Sequence, residues 1–479
     1  MICSLLSAST LWARDYYVSP SGDDAADGAS PERAFKTLEH VNGLSLKPGD
    51  AVKLQAGATF VGQLRFDRGD NGTAAEPVTL SSYFVGPLNP SAARARIVSA
   101  NGNAIEVRDV SHFRIQDLEI SGQATPESAK VDGNGIYLVS EAKDAAPGDI
   151  LISGVTVSGF TGDTNEWERT GNGIYVDVIG DGSGFDGVTI QDALLFENDH
   201  SGLTTESHAE ERHRNVNVQR VESHHNRGTD DSAQYSGSGI VISGVNGGSI
   251  LDSKSYENGE RNHRDGGPVG IWAWNADSIR ISGCESHHNH TSGGSDGGGF
   301  DFDGGVTHSI IENNISHDND GAGYMLCTYA GADPVTDNIV RNNSSVNDGQ
   351  KNGYGALVIL GDIRDSVYEN NTVTVDAAQN LKAIWYWFWA GSNVSVRNNR
   401  FIIGGGANLL TMTWWDKNDE LPVGVEGNEI FGQPGAPTPE RAVRVEYGDP
   451  ELKRSARNYH TYADWMNQAK QPSAFRQRQ

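Results

Sequence analysis

Five segments decide the fold: IIENNIS (310–316), IVRNNSSV (339–346), VYENNTVTV (367–375), VSVRNNRF (394–401) and VGVEGNEI (423–430). They align on Asn314, Asn343, Asn371, Asn399 and Asn428, spaced 29, 28, 28 and 29 residues apart. Three positions before the asparagine stands an apolar residue: Ile311, Val340, Val396 and Val425. In the Asn371 unit that position is Tyr368, and Val367 is taken as the matching apolar residue, a slip of one. Towards the N-terminus the same column continues through Cys284, Ser253, Val221, Ala193, Val155 and Leu118, preceded by Ile281, Ile250, Val218, Ile190, Ile152 and Ile115. Short β-rich segments repeating every 28–30 residues between turn residues have one good physical solution. Each unit is a coil of three short strands, and the coils stack in register into a parallel β-helix of about eleven turns. Identical amides one coil apart, roughly 4.8 Å, can then hydrogen-bond up the stack.

Composition agrees. Glycine is 58 of 479 residues, well above the usual ~7%, and only 37% of residues are hydrophobic. A chain so rich in Gly, Asn, Asp, Ser and Thr is no helical bundle, and no stretch is long enough for a membrane span. Recurrent Val, Ile, Trp, Tyr and Phe exclude disorder. The net charge of −26 disfavours nucleic acid and anionic membranes as partners. Three cysteines (Cys3, Cys284, Cys327) form no disulfide framework, so stability must come from packing.

The opening YYVSPSGDD (16–24), SPERAFKTLEHVNGL (30–44) and KPGDAVKLQAG (47–57), followed by the repeat, resembles the right-handed parallel β-helix superfamily. This is the pectate-lyase-like fold of polysaccharide lyases, polygalacturonases and related hydrolases. The resemblance covers roughly residues 15 to 433 and implies an all-β, single-solenoid fold. An N-terminal capping helix is expected, with Ser30 as N-cap, Pro31 at its first position and a stripe of Ala34, Leu38 and Val41. Residues 1–13 (MICSLLSASTLWA) look like the end of a secretory signal peptide, which gives a β-helix domain over 14–433 and a secreted or periplasmic location. Residues 434–479, with a short helix expected over 462–470, are read as a C-terminal cap or arm.

A second column carries the chemistry. Strands opening on a small residue recur: GIYLV (135), GIYVD (173), GLTTE (202), GIVIS (239), GIWAW (270), GFDFD (299), GYMLC (323), GALVI (355) and AIWYW (383). Period-2 alternation sends Ile271/Ala273, Phe300/Phe302 and Ala356/Val358 inward. It leaves Tyr175/Asp177, Thr204/Glu206, Trp272/Trp274, Asp301/Asp303, Leu357/Ile359 and Trp385/Trp387 outward. Sugar C–H faces stack on aromatic rings and sugar hydroxyls need acceptors, so a Trp/Asp groove suits a polysaccharide or oligosaccharide.

Asp301 and Asp303, at i and i+2 on one strand, are the first candidates for the two carboxyls of glycoside hydrolysis. Asp177 and Glu206, side by side on adjacent coils, rank second as a catalytic pair or cation site. Trp272, Trp274, Tyr175, His263, Arg264, Asp265, His290 and Asp296 are the expected substrate contacts. The remaining histidines recur at equivalent positions (SHHN, SHHN, SHDN) and read as members of a structural stack. The reading predicts a monomeric hydrolase that requires no cofactor. Calcium stays open as a bound cation, with the turn Asp318–Gly321 a weak candidate. A β-elimination lyase is the runner-up. It needs a base and a cation for the uronate carboxylate, and the outward strand column offers neither Lys nor Arg. A non-catalytic glycan-binding β-helix is the third reading. Neither the polygalacturonase nor the pectate-lyase active-site motifs are present, so the enzyme family and the polysaccharide stay open.

Overall fold

The computed structural model describes residues 13–478 except 86–92, 100, 124, 126–127, 163–169, 209–211, 231–234, 265, 294, 376–380, 405–407, 415–422, 433–442, 450–453 and 461–474. Asp265, residues 1–12 of the expected signal-peptide stretch and the expected helix over 462–470 lie outside the described residues.

The chain is a parallel β-helix. Each coil gives one strand to each of three long sheets of 14, 15 and 14 strands, and successive coils pair in parallel. Registers follow the sequence columns. Ile152, Ile190, Val218, Ile250, Ile281, Ile311, Val340, Tyr368 and Val396 are successive partners, all buried. Tyr368 therefore fills the core slot itself, and no slip of one occurs. Its hydroxyl is satisfied within the core by Val358 O at 2.6 Å.

The column asparagines form the expected internal ladder. Nδ2 of Asn314, Asn343, Asn371 and Asn399 donates to Oδ1 of the next asparagine at 3.0–3.1 Å. The same oxygen also accepts the preceding backbone N–H, and Nδ2 donates in addition to a carbonyl one coil back, so the buried amides are fully paired. The residue just before the column is left-handed in coil after coil, including Asp117, Gly154, Asp192, Asp252, Gly283, Asn313, Asn342, Asn370, Asn398 and Gly427. Asn, Asp and Gly tolerate that conformation best, which explains the Asn–Asn pairs. Arg220 takes it too.

A second ladder escaped the sequence reading. Asn198, Asn226, Asn258, Asn289 and Asn319 are all buried and linked Nδ2 to Oδ1, and the series ends on Asp348 at 2.7 Å. It explains the strand-opening glycines. A Cβ on Gly239, Gly270 or Gly299 would lie 2.0–2.2 Å from a serine Oγ of this ladder. Backbone must pass close to the Ser/Asn stack, and only glycine permits it.

The N-terminal cap differs from expectation. Pro31–Arg33 is a single 3-10 turn, and Ser30 makes no side-chain cap bond. The chain then extends to bridge Val18 through Phe35 before a short helix, Leu38–Asn42, capped by Thr37. Ala34, Leu38 and Val41 are buried as predicted. At the other end Val443–Asp449 pairs in parallel with Asn408–Trp414, and Arg454–His460 closes that sheet edge antiparallel. No helix among the described residues is long and apolar enough to cross a membrane.

Candidate active-site pocket

Four neighbouring strands of one sheet, Val269–Trp274, Gly298–Phe302, Tyr324–Cys327 and Gly355–Arg364, build the floor of a pocket of about 650 Å³. Ile271, Phe300, Tyr324 and Leu357 stack into the core, so Trp272, Asp301, Met325 and Val358 face the other way. In the Gly355 strand Ala356 is in the core as expected, but Leu357, Val358 and Ile359 face the reverse of the expectation. Tyr324 pairs with Leu357, so Leu357 and Ile359 join the core while Val358 and Leu360 lie beside Met325 and Cys327. The glycine sits one position early there, and alignment by glycine misplaces the strand.

The outward face is no open groove. Loops fold over it, and Trp272 is 5% exposed, with Nε1 donating to Ser238 Oγ at 3.2 Å and its ring edge-on to Tyr235. What remains open is the pocket, walled by Tyr235, Trp272, Trp274, Tyr329, Tyr354 and Trp387. Three carboxyls converge in it: Asp296, Asp301 and Asp303. Arg264 is exposed at its rim.

The three acids differ in setting. Asp301 is 2% exposed, and its buried Oδ1 finds no hydrogen-bond partner among the described residues. Burial first, then the negative charges of Asp303 and Asp296, hold its carboxyl well above the usual range. Asp303 is half-buried just past the strand end, with Oδ1 accepting Gly304 N–H at 2.7 Å. Burial and Asp296 push it up to about 7, against the Gly304 hydrogen bond and the Cys327 thiol, which favour its ionised form. Asp296, also half-buried, comes from the preceding loop. Its Oδ2 accepts Gly267 N–H at 2.5 Å, and Tyr354 hydrogen-bonds its side chain. Trp274 Nε1 is a second buried polar atom of this pocket without a partner among the described residues. An unpaired donor and an unpaired acceptor in one aromatic pocket are what a ligand hydroxyl satisfies.

The other expected site residues fall elsewhere. Asp177 and Glu206 are register partners as predicted, but each is 1% exposed and neither lines the pocket. Tyr137 donates to Asp177 at 3.2 Å, while Tyr175 and Tyr235 donate to Glu206 at 3.0 and 3.3 Å; His208 lies 3.3 Å from Glu206. Burial pushes Asp177 up to about 6. Tyr175, at 1% exposure, belongs to this buried network and is not brought to the pocket surface. Tyr235 belongs to both, so the acids act as a backing for the pocket wall. His263 is exposed beside Asp230, and His290 pairs with Glu257 and Asp320. In the Asp318–Gly321 turn Asn319 is a ladder member, Asp318 is bonded to His317, and Asp320 accepts from Thr291 N. The calcium candidate thus has its oxygens already engaged. Sequence reasoning missed Tyr354 and Tyr235 as pocket residues, because they sit in loops with no periodic signal; alternation put Cys327 on the outward column, where the pocket has it, but gave it no role.

No family model matches the chain. It is 23% identical to the lacto-N-biosidase of Bifidobacterium longum over an alignment that covers 83% of this chain, and it spans only 29% of that relative's length. Among solved structures it resembles the GH136 lacto-N-biosidase of Eubacterium ramulus, at 17% identity and a TM-score of 0.61, covering 81% of this chain and 68% of that one. The A-module of the mannuronan C-5 epimerase AlgE6 of Azotobacter vinelandii follows at 14% identity and 0.54, covering 81% and 91%. These similarities establish the fold as that of the parallel β-helix proteins.

Proposed function

We propose that the chain is a glycoside hydrolase that cleaves a glycosidic bond of an oligosaccharide or polysaccharide seated in the Asp296/Asp301/Asp303 pocket. The observation that carries this reading is the convergence of three carboxyls, an unpaired buried donor and an unpaired buried acceptor in one aromatic-walled pocket. Its similarity to two lacto-N-biosidases supports the same reaction class.

Glycoside hydrolysis needs one carboxyl that gives a proton to the leaving oxygen and one that attacks or activates water. The sequence pairs Asp303 with Asp301. Burial favours Asp296 as the partner, because Asp296 and Asp303 are half-buried whereas Asp301 is fully buried. In this scheme Asp301 keeps its proton and meets a sugar hydroxyl through its unpaired Oδ1, and Trp272, Trp274 and Trp387 stack the rings. Removal of either reacting carboxyl should cost on the order of 10³-fold or more in turnover, against roughly 10- to 100-fold for a hydrogen-bonding contact. Asp296→Asn, Asp301→Asn and Asp303→Asn are therefore to be assayed on a glycan panel for new reducing ends. Retained turnover in Asp303→Asn sinks the assignment, and a collapse in Asp301→Asn with mild loss in Asp296→Asn restores the i, i+2 pair. Nitrophenyl glycosides, whose good leaving group needs no acid, separate the roles: the variant lacking the proton donor stays active on them.

The lyase reading predicts a product with ultraviolet-absorbing unsaturation. Arg264 is a pocket cation that could meet a uronate carboxylate, so the same panel is to be read at that absorbance as well.

A further inference from the structure

On the third sheet, away from the pocket, a column of aromatic rings runs up the outside of the solenoid. Phe196, His224, Tyr256, His287 and His317 stack with centroids 5.3, 4.8, 5.0 and 4.6 Å apart. The next residue in these coils is left-handed: Glu197, His225, Glu257, His288 and Asp318 have φ between 50 and 56°. An extended residue followed by a left-handed one turns two consecutive side chains towards each other. In two coils both are histidines, and the turn brings Nδ1 of His224 to 2.8 Å from Nδ1 of His225, and Nδ1 of His287 to 2.8 Å from Nδ1 of His288. The rings of each pair stand at 85° and 88°. The backbone thus repeats one preorganised two-nitrogen bite, two coils apart.

We propose that His224/His225 and His287/His288 are two chelating sites for a divalent transition cation of the copper–nickel kind, the second completed by His317. The donor atoms of His287, His288 and His317 all lie within 4.8 Å of one another. All five side chains are partly open to solvent. At metal–nitrogen distances of about 2.0–2.1 Å, a 2.8 Å bite subtends roughly 85–90° at the ion. That is the cis angle of tetragonal or octahedral coordination; a tetrahedral ion would want the nitrogens about 3.3 Å apart. The preference is therefore for Ni²⁺ or Cu²⁺ over Zn²⁺, in line with the affinity order of imidazole sites. In each pair one ring moves its hydrogen from Nδ1 to Nε2 on binding. Tyr256 covers the His224/His225 pair where His317 covers the other, so the sites are unequal. His317 reaches the ion by turning from its stacked position.

The test is calorimetry of the tag-free chain with NiCl₂, and electron paramagnetic resonance with Cu²⁺. His225→Asn and His288→Asn are the variants of choice, because asparagine tolerates the left-handed backbone. The expected result is two bound ions, one lost in each variant and none bound by the double variant. His317→Ala should weaken the tighter site about tenfold and leave the other unchanged. Each variant is checked for an unchanged Tm without metal. Unaltered Ni²⁺ stoichiometry in the double variant overturns the proposal. So does an absence of binding by the parent chain at ~1 mM ion, or tighter binding of Zn²⁺ than of Ni²⁺.

Discussion

Cys327 tunes the acid on which the pocket depends. Its thiol stands beside Asp303 and favours the ionised carboxylate, while burial and Asp296 act the other way. Cys327→Ala removes only the stabilising contact, so Asp303 should titrate higher. The limb of the pH–rate profile assigned to Asp303 is expected to move up from about 7, with binding little changed. An unmoved limb, or one that moves down, would exclude the thiol from tuning Asp303. At this scale the sequence was half legible. Period-2 alternation alone placed Trp272, Trp274, Asp301 and Asp303 on one face, and the pocket contains all four. It could not show that loops bury that face, nor that Tyr235 and Tyr354 return from loops to wall it. Those are long-range contacts that no local pattern records.

At the scale of the coil, the strand-opening glycine and the serine beneath it are one device. A Cβ on Gly299 would sit 2.2 Å from Ser316 Oγ, with its other neighbours at 3.1 Å. Gly299→Ala should therefore cost about 1–3 kcal/mol, the usual penalty of overpacking. Ser316→Ala in the same chain removes the clashing atom, and the double variant should be more stable than the sum of the singles predicts. Chemical denaturation of the four proteins measures that coupling, and strict additivity would refute the steric account. Glycine's recurrence was plain in the sequence. Its cause was not, because the Asn198–Asn319 ladder is spaced less evenly than the Asn314–Asn428 one and ends on an aspartate.

That aspartate, with Asp177 and Asp303, makes the folded molecule lose stability as pH rises. Burial pushes Asp348 and Asp177 up to about 6 and Asp303 to about 7, against 3.8 for an ordinary aspartate. Between pH 3.8 and those values the unfolded chain has released protons that the folded chain still holds. Stability must then fall as pH rises through that window and level off above it. For Asp348, fully buried, a rise from 3.8 to about 6 corresponds to a ceiling on the order of 3 kcal/mol. The net charge of −26 acts in the same direction, since self-repulsion grows as carboxyls ionise. Salt separates the two causes. Repulsion between exposed charges is screened beyond about 8–10 Å at physiological ionic strength and far more at 1 M, whereas the burial of Asp348 is not. Tm should drop from pH 5 to pH 8 in low and high salt alike, and Asp348→Asn should reduce the drop. Asparagine keeps the acceptor for Asn319 Nδ2 and continues the amide ladder without a charge, and Ser345 can turn its hydroxyl to accept from the new Nδ2. A pH effect that vanishes in 1 M salt and is unchanged in Asp348→Asn would assign it wholly to the acidic surface.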